Sequence, residues 1–501
     1  MLELIAFVFQ ALPWVIAVGV PFLAMTALLV GRRTAVFWVG AYFALLLYFP
    51  NNSYGLLDPT ESGNFYNRAT GTFYFSAINV MLFGLALQAF FARRMGLPMP
   101  VAHNQRAPAL IFMAVFAGNV LVAQFFPAIH WTRVIGPGGL LHVFNFMLAF
   151  YALTTALREP RDLDRLINLI LFCAVTRGLW GLVRFVALGG DPANFYANMQ
   201  RIDVRLTFFD INDGLVAALA FFIASWRLLS GQCVGLASRA LHLSIIGLEL
   251  FIILFSYRRT GWGGLLLVLL FLAWCRPTRQ RWWLLTVSAT AALPLLAYKM
   301  VQRAGTNTQG GSWLERAFPD VVQGGQFSFT TGRFAELYAA WLSVKESPLW
   351  GLGTWGRFDG SRFSELAFHR GDFGWMHSGM LHIMLKSGLI GVAAVVMLVV
   401  LLVRFVSRER HALDERQQGL LYLGMAGLLF MLPNWLIGTP VIEFRTMQLM
   451  ALCTALPYLV VAAAQARAAT GSVVQQPAAP WVFGIRPLRV QPALLRPHQR
   501  G

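Results

Sequence analysis

Three short stretches of the chain hold residue types that could do chemistry, each beside an apolar run. The first is Ser256-Tyr-Arg-Arg-Thr-Gly-Trp262, with two adjacent arginines between apolar segments. Guanidinium groups grip phosphates through paired hydrogen bonds. Arg258 and Arg259 could therefore hold a diphosphate at membrane depth, or only anchor to headgroups. The second runs from Arg333 to Lys345 and sets Phe334, Leu337, Tyr338, Trp341 and Leu342 on one face at helical spacing. Thr330 or Thr331 can cap that helix, and Pro348 marks its end. Arg333 then sits in the first turn, where a cation opposes the helix dipole. A helix start with an arginine is also a cradle for a diphosphate; the other reading is a solvated or ion-paired arginine. The third is His377, immediately before an apolar run. A neutral imidazole can take a proton near neutral pH, although a histidine at an interface can equally be structural. His382, deeper in the run, reads as a packed, hydrogen-bonded core histidine.

Two glycine patterns flank these residues. Pro348-Leu-Trp-Gly-Leu-Gly-Thr-Trp-Gly356 implies tight turns, and Gly388-Leu-Ile-Gly391 lies within the run after His377. Arg177, Arg184, Asp210, Asp213, Glu249 and Lys386 fall in or near apolar segments. Charges there are costly in hydrocarbon and should face a partner or a polar cavity. Arg177 and Glu249, both near mid-span, could pair with each other.

The elements that must position these residues are membrane helices. Of the 501 residues, 57% are hydrophobic and 12% charged; a soluble domain carries about 25% charged residues. Thirteen candidate spans lie near 4–30, 34–49, 72–92, 109–129, 134–157, 166–187, 208–226, 241–257, 261–275, 282–298, 378–403, 418–433 and 447–464. The first lacks a basic leader and cleavage site and reads as a retained span. The expected fold is all-α: a polytopic membrane bundle of about 12–13 helices with one large helical loop outside. Residues 1–298 hold ten spans, 299–377 the outer loop domain and 378–464 the last three. Residues 465–501, rich in Pro, Ala, Gln and Arg, read as a disordered tail.

Orientation follows from arginine. Alternate short loops, starting at Arg32–Arg33, carry twenty-two arginines with the tail; the others carry seven, namely Arg68, Arg133, Arg201, Arg205, Arg258, Arg259 and Arg445. Positive charge collects on the cytoplasmic side. The N-terminus is therefore expected outside, the loop 299–377 outside and the C-terminus inside. The net charge of +18 is explained by those inner loops, so no nucleic-acid partner is expected. Cys173, Cys233, Cys275 and Cys453 show no CxxC spacing, which argues against disulfides and a cysteine zinc site. No phosphate-binding glycine loop of the nucleotide-binding kinds is present. A polar domain facing outward must use an already activated donor, and lipid-linked diphosphates are the usual kind.

Together these motifs resemble the O-antigen ligase and O-antigen and exopolysaccharide polymerase superfamily of bacterial envelopes. Ser256–Trp262 is similar to its hydroxyl-Arg-small-aromatic element. Gly332-Arg333 through Trp341 and Pro348–Gly353 are similar to its Arg…Trp…Pro-Leu-Leu-Gly-x-Gly element. His377, Leu381 and Gly388–Gly391 are similar to its His-Asn-x-x-Leu…Gly-Leu-Ile-Gly element. Arg205-Leu-Thr-Phe-Phe-Asp-Ile-Asn212 weakly resembles its Arg-x-x-Gly…Asn block. Alignment to Trp262 selects Arg259 from the arginine pair, and Ser378 replaces the usual Asn.

The resemblance implies an inverting membrane glycosyltransferase. It would move an undecaprenyl-diphosphate-linked glycan onto an acceptor sugar hydroxyl at the periplasmic face of the inner membrane. Arg259 and Arg333 would hold the diphosphate, and His377 would be the general base. Arg258, Arg205, Trp341 and Asn212 would bind substrate. No cofactor or metal is implied, although Glu365 and Asp372 could supply ligands. The acceptor would be a second lipid-linked glycan, as in a polymerase, or lipid A–core, as in a ligase. The extra span and long loop lean to the polymerase. A protein O-oligosaccharyltransferase and a non-enzymatic flippase for the same lipids are the alternatives.

Overall fold

The computed structural model describes residues 33–48, 77–97, 107–123, 139–157, 159–192, 204–306, 311–317, 332–354 and 376–469, with a few short pieces between them. The candidate span 4–30, the tail from 470 and the loop acids Glu365 and Asp372 lie outside the described residues.

The chain is an all-helical bundle. Its first helices are α1 (Arg33–Tyr48), α2 (Ala77–Arg94), α3 (Ala107–Ala123), α4 (Leu141–Ala156) and α5 (Pro160–Ala187). Then come α6 (Ile211–Leu229), α7 (Leu236–Leu254), α8 (Arg259–Trp274), α9 (Thr278–Val287) and, after a π-helical turn at Ser288–Ala292, α10 (Leu293–Thr306). The loop segment holds α11 (Trp313–Ala317), a two-rung hairpin of β1 (Val322–Gln323) and β2 (Gln326–Phe327), and α12 (Gly332–Val344). The bundle closes with α13 (Gly379–Glu409), α14 (Glu415–Ile437) and α15 (Phe444–Ala469). Among the described residues, seven helical stretches are long and apolar enough to cross a membrane. The protein is a multi-pass membrane protein. Helix α15 runs to Ala469, past the expected tail boundary at 465.

Nearly every span is apolar all round, so burial rather than patterning separates centre from rim. Helices α6 and α15 are almost wholly enclosed, whereas α7, the α9–α10 span and α13 turn most of their surface outward. Runs of alanine let each approach its own neighbours closely, α6 against α7 and α14, and α15 against α14 and α4: Ala217, Ala218, Ala220 and Ala224 on α6, and Ala451, Ala455, Ala462 and Ala463 on α15 are buried.

Polar contacts tie the two ends of the bundle separately. At one end Arg276 donates to Glu415 Oε1 (2.8 Å) and the Leu229 carbonyl (3.0 Å). Trp226 donates to the Glu415 carbonyl, and Arg467 pairs with Asp164. This is the arginine-rich end. At the other end α1 and α7 finish, and α6, α8, α13 and α15 begin. All four cysteines are free thiols.

Candidate functional site

Helix α12 forms where the spacing of its apolar residues predicts it. The aromatic face points outward, with Tyr338 and Trp341 exposed. The buried face is made of Ala335, Glu336, Ala339, Ala340, Ser343 and Val344. Periodicity reports that a helix has two faces, not which one meets protein. Small side chains let α12 approach a second core formed with Leu352, Phe358, Met376 and Leu385.

Glu336 is the exception on that buried face, and it meets His377. Its Oε1 accepts the His377 backbone N–H at 3.0 Å, and its Oε2 lies 2.8 Å from His377 Nδ1. The carboxylate is enclosed, while the imidazole is about one-third exposed. Arg333 stands in the first turn of α12, one turn before Glu336, as expected; its side chain lies outside the described residues.

His377 is held from its other side by the start of α13. Ser378 is the N-cap: its Oγ accepts the Leu381 N–H at 3.3 Å. Serine and asparagine are both favoured N-caps, so the departure from the family's Asn keeps the cap. Ten residues after the cap, α13 breaks at Gly388, whose φ is 62°. The N–H groups just beyond bond to the glycine-rich turn instead: Leu389 to the Pro348 carbonyl (2.9 Å) and Ile390 to that of Leu349 (3.3 Å). The Leu352 N–H returns to Leu385 (2.8 Å), and buried Lys386 donates to the Thr354 carbonyl. The two glycine motifs are the two halves of one junction.

The Ser256–Trp262 block is a tight reversal between α7 and α8. Tyr257 adopts φ 52°, the left-handed region that costs a residue with a β-carbon about 1–2 kcal/mol. Arg258 Nε donates to the Phe209 carbonyl, and its guanidinium lies 4.2 Å over the Phe209 ring. Arg258 thus clamps the 204–210 segment. Arg259, half-buried, opens α8.

Asp210 caps α6 by accepting the Asn212 N–H. Fully buried Arg445 reaches Asp210 (2.9 Å), Asp213 (3.0 Å) and the terminal carbonyls Leu46 and Leu47 of α1. Arg177 forks onto Asp213 at 3.0 and 3.2 Å. The Arg177–Glu249 pair that the sequence allowed is thus replaced: helix packing brings α5 against the start of α6, and the Arg177 guanidinium goes to Asp213. Asn212 is wholly enclosed between Asp210 and Thr446, so its contacts are with the bundle. Arg205 is exposed at the start of the clamped segment. His382 is buried, as a core histidine should be.

The His377 corner and this network lie at the same end. A β-carbon on Gly379 would fall 2.7 Å from Pro440 and Trp435 side-chain atoms, and Pro440 leads directly into the 443–446 corner. All four sequence blocks are gathered there. Residues 243–396 match the family model of the O-antigen ligases. Over that segment the chain is similar to the O-antigen ligases, which supports the resemblance to the O-antigen ligase and polymerase superfamily. No curated protein matches the chain. The ligase-type segment runs from inside α7 to inside α13. It contains Arg258, Arg259, Arg333, Glu336, Trp341 and His377, whereas Arg205, Asn212 and Arg445 lie outside it. Glu336 escaped the sequence reading because a lone acid on an amphipathic helix normally faces water. The available signal was its position one turn after Arg333, on the face opposite the aromatics.

Proposed function

We propose that the protein is a glycosyltransferase that moves a glycan from undecaprenyl diphosphate onto an acceptor sugar hydroxyl, at the periplasmic face of the inner membrane. The observation that carries this reading is the partly exposed His377 held by a buried carboxylate, within the ligase-type segment and at the arginine-poor end of the bundle. A histidine so held suits a general base, which typically contributes about 10²–10⁴-fold. Arg259 and Arg333 are assigned to the diphosphate, where fixed positive charge stabilises the leaving group. One displacement step by the acceptor oxygen inverts the anomeric carbon, and arginines make a metal unnecessary for charge neutralisation.

The acceptor assigned here is a second lipid-linked glycan, which makes the enzyme a polysaccharide polymerase; the extra first span and the long outer loop support that choice over ligation to lipid A–core. Deletion of the gene tests it. Loss of secreted or lipid-linked polymer with unaltered lipid A–core capping by single units is expected. Loss of all capping would identify a ligase, and normal glycans of every kind would reject the reading.

A further inference from the structure

We propose that Glu336 is the positioning residue of this site, fixing the His377 ring so that Nε2 receives the proton of the acceptor hydroxyl. The inference rests on the glycosyl-transfer reading above. Glu336 is costly where it stands: an enclosed carboxylate on a helix face otherwise made of Ala335, Ala339 and Ala340 must be paired. Both of its oxygens go to one residue, Oε1 to the backbone N–H of His377 and Oε2 to ring Nδ1. Those two bonds fix the backbone and the ring rotation together. With the Nδ1 hydrogen directed at a carboxylate, the neutral ring carries its lone pair on Nε2.

The frame around the pair prevents α12 from sliding relative to α13. The turn after α12 is bonded across the α13 break at Leu389 and Ile390, and Leu352 and Lys386 close the same junction. Glu336 and His377 are therefore held by two elements locked to each other, the condition for a base kept within a fraction of an ångström of productive geometry.

In the transfer step the acceptor oxygen bonds to the anomeric carbon while the bond from that carbon to the diphosphate oxygen breaks. The electron pair leaves on the diphosphate. The hydroxyl proton passes to Nε2, and the imidazolium is stabilised by the Glu336 carboxylate until solvent takes the proton. Glu336 itself takes no proton, the part an aspartate plays behind the histidine of hydrolase triads.

The test uses the full-length protein in proteoliposomes, with lipid-linked glycan extracted from cells lacking the gene. Glu336→Gln should lower kcat on the order of 10²-fold and leave KM for the donor unchanged. Azide is an anionic nucleophile with no proton to give up, so it needs no base. It should restore turnover, as glycosyl azide, in both His377→Ala and Glu336→Gln. Glu336→Asp, which keeps the charge, should retain more activity than Glu336→Gln and should give the same azide response if the latter fails to fold. Glu346→Gln, at an exposed acid just past α12, is the unaffected control. Normal turnover in Glu336→Gln overturns the inference and leaves the proposed function intact. So does a defect that azide repairs in His377→Ala but not in either Glu336 variant. Absence of transfer by the unaltered protein, to sugar or to azide, would instead reject the function.

Discussion

Gly351 and Gly388 approach so closely that neither has room for a side chain. A β-carbon on Gly388 would lie 2.2 Å from the Leu349 carbonyl oxygen, and one on Gly351 would lie 2.6 Å from the Gly388 nitrogen. Both also hold positive φ, 72° and 62°. This contact joins the loop helix that carries Glu336 to the membrane helix that begins beside His377.

Gly388→Ala should therefore cost more than the backbone penalty alone. Gly231 has φ 69° with open space around it, so Gly231→Ala measures the conformational cost, about 1–2 kcal/mol. Gly388→Ala adds overpacking, typically about 1–3 kcal/mol. Thermal unfolding in detergent should show the larger drop for Gly388→Ala, with transfer lost at temperatures where it remains folded. Equal drops would show that the junction gives way without strain.

Arg445 should be the most sensitive position outside the ligase-type segment. It is enclosed and joins α1, α6 and α15 through Asp210, Asp213 and two carbonyls. Arg445→Met would leave buried Asp213 and partly buried Asp210 short of a partner, a loss of about 3–5 kcal/mol. Combining it with Asp213→Asn should cost less than the two changes added together, because the two residues share one interaction. Additive losses would mean that each acts separately.

The spans were legible in the sequence because lipid demands long apolar runs whatever the neighbours are. The helix of Arg333–Lys345 was legible for a similar reason, since its period is local. What periodicity cannot carry is which surfaces meet. The sequence set Tyr338 and Trp341 on one face without saying what that face meets; they are exposed, and small Ala339 and Ala340 pack inward. Arg177 was matched to Glu249 by depth, but the neighbour of α5 at that level is Asp213. Gly351 read as part of a turn and Gly388 as part of an apolar run, because only three dimensions reveal that each exists for the other. Arg258, Arg259, Arg333 and His377 were visible because charges beside apolar runs need a reason. Glu336 was not, because its reason is a residue forty-one positions away.

The arginine asymmetry gives an orientation that reporter fusions can check. A periplasm-active reporter should work when fused after Gly310 and fail after Gln475, and a cytoplasm-active reporter should do the reverse. Matching signals at the two sites would overturn the orientation and remove the reason for a lipid-linked donor.

Glu443 should make stability depend on pH. It lies between α14 and α15, accepting from Thr439 (2.8 Å) and Thr446 (2.6 Å). Burial lifts its carboxyl above the ordinary range; the threonine bonds oppose the shift, and Asp210 adds to it. A raised carboxyl binds its proton more tightly in the folded state than in the unfolded one. Its contribution to stability therefore falls as pH rises from the ordinary carboxylate range through the raised value. Glu443→Gln should flatten that slope relative to the unaltered protein, as read by melting temperature across the acidic range. An unchanged slope would assign it to other groups.

Arg258 and Arg259 are neighbours with different surroundings, and their substitutions should separate. Arg258 is committed to the chain: it donates to the Phe209 carbonyl and stacks on the Phe209 ring, holding the segment that leads to Asp210. Arg258→Ala should lower thermal stability, and Arg258→Lys should recover part of it, since an ammonium can still meet a carbonyl and a ring face. Arg259 is the first residue of α8 and is the one assigned to the diphosphate. Arg259→Ala should abolish transfer while leaving the protein folded. Arg259→Lys should restore little, because a point charge cannot replace a planar fork on phosphate oxygens. Measuring melting and transfer together decides the assignment. If Arg258→Ala is stable and inactive while Arg259→Ala is active, the roles are exchanged, and the 204–210 segment is held without the arginine, by Asp191 accepting the Phe209 N–H (2.7 Å) and Thr207 donating to the Ile252 carbonyl (2.9 Å).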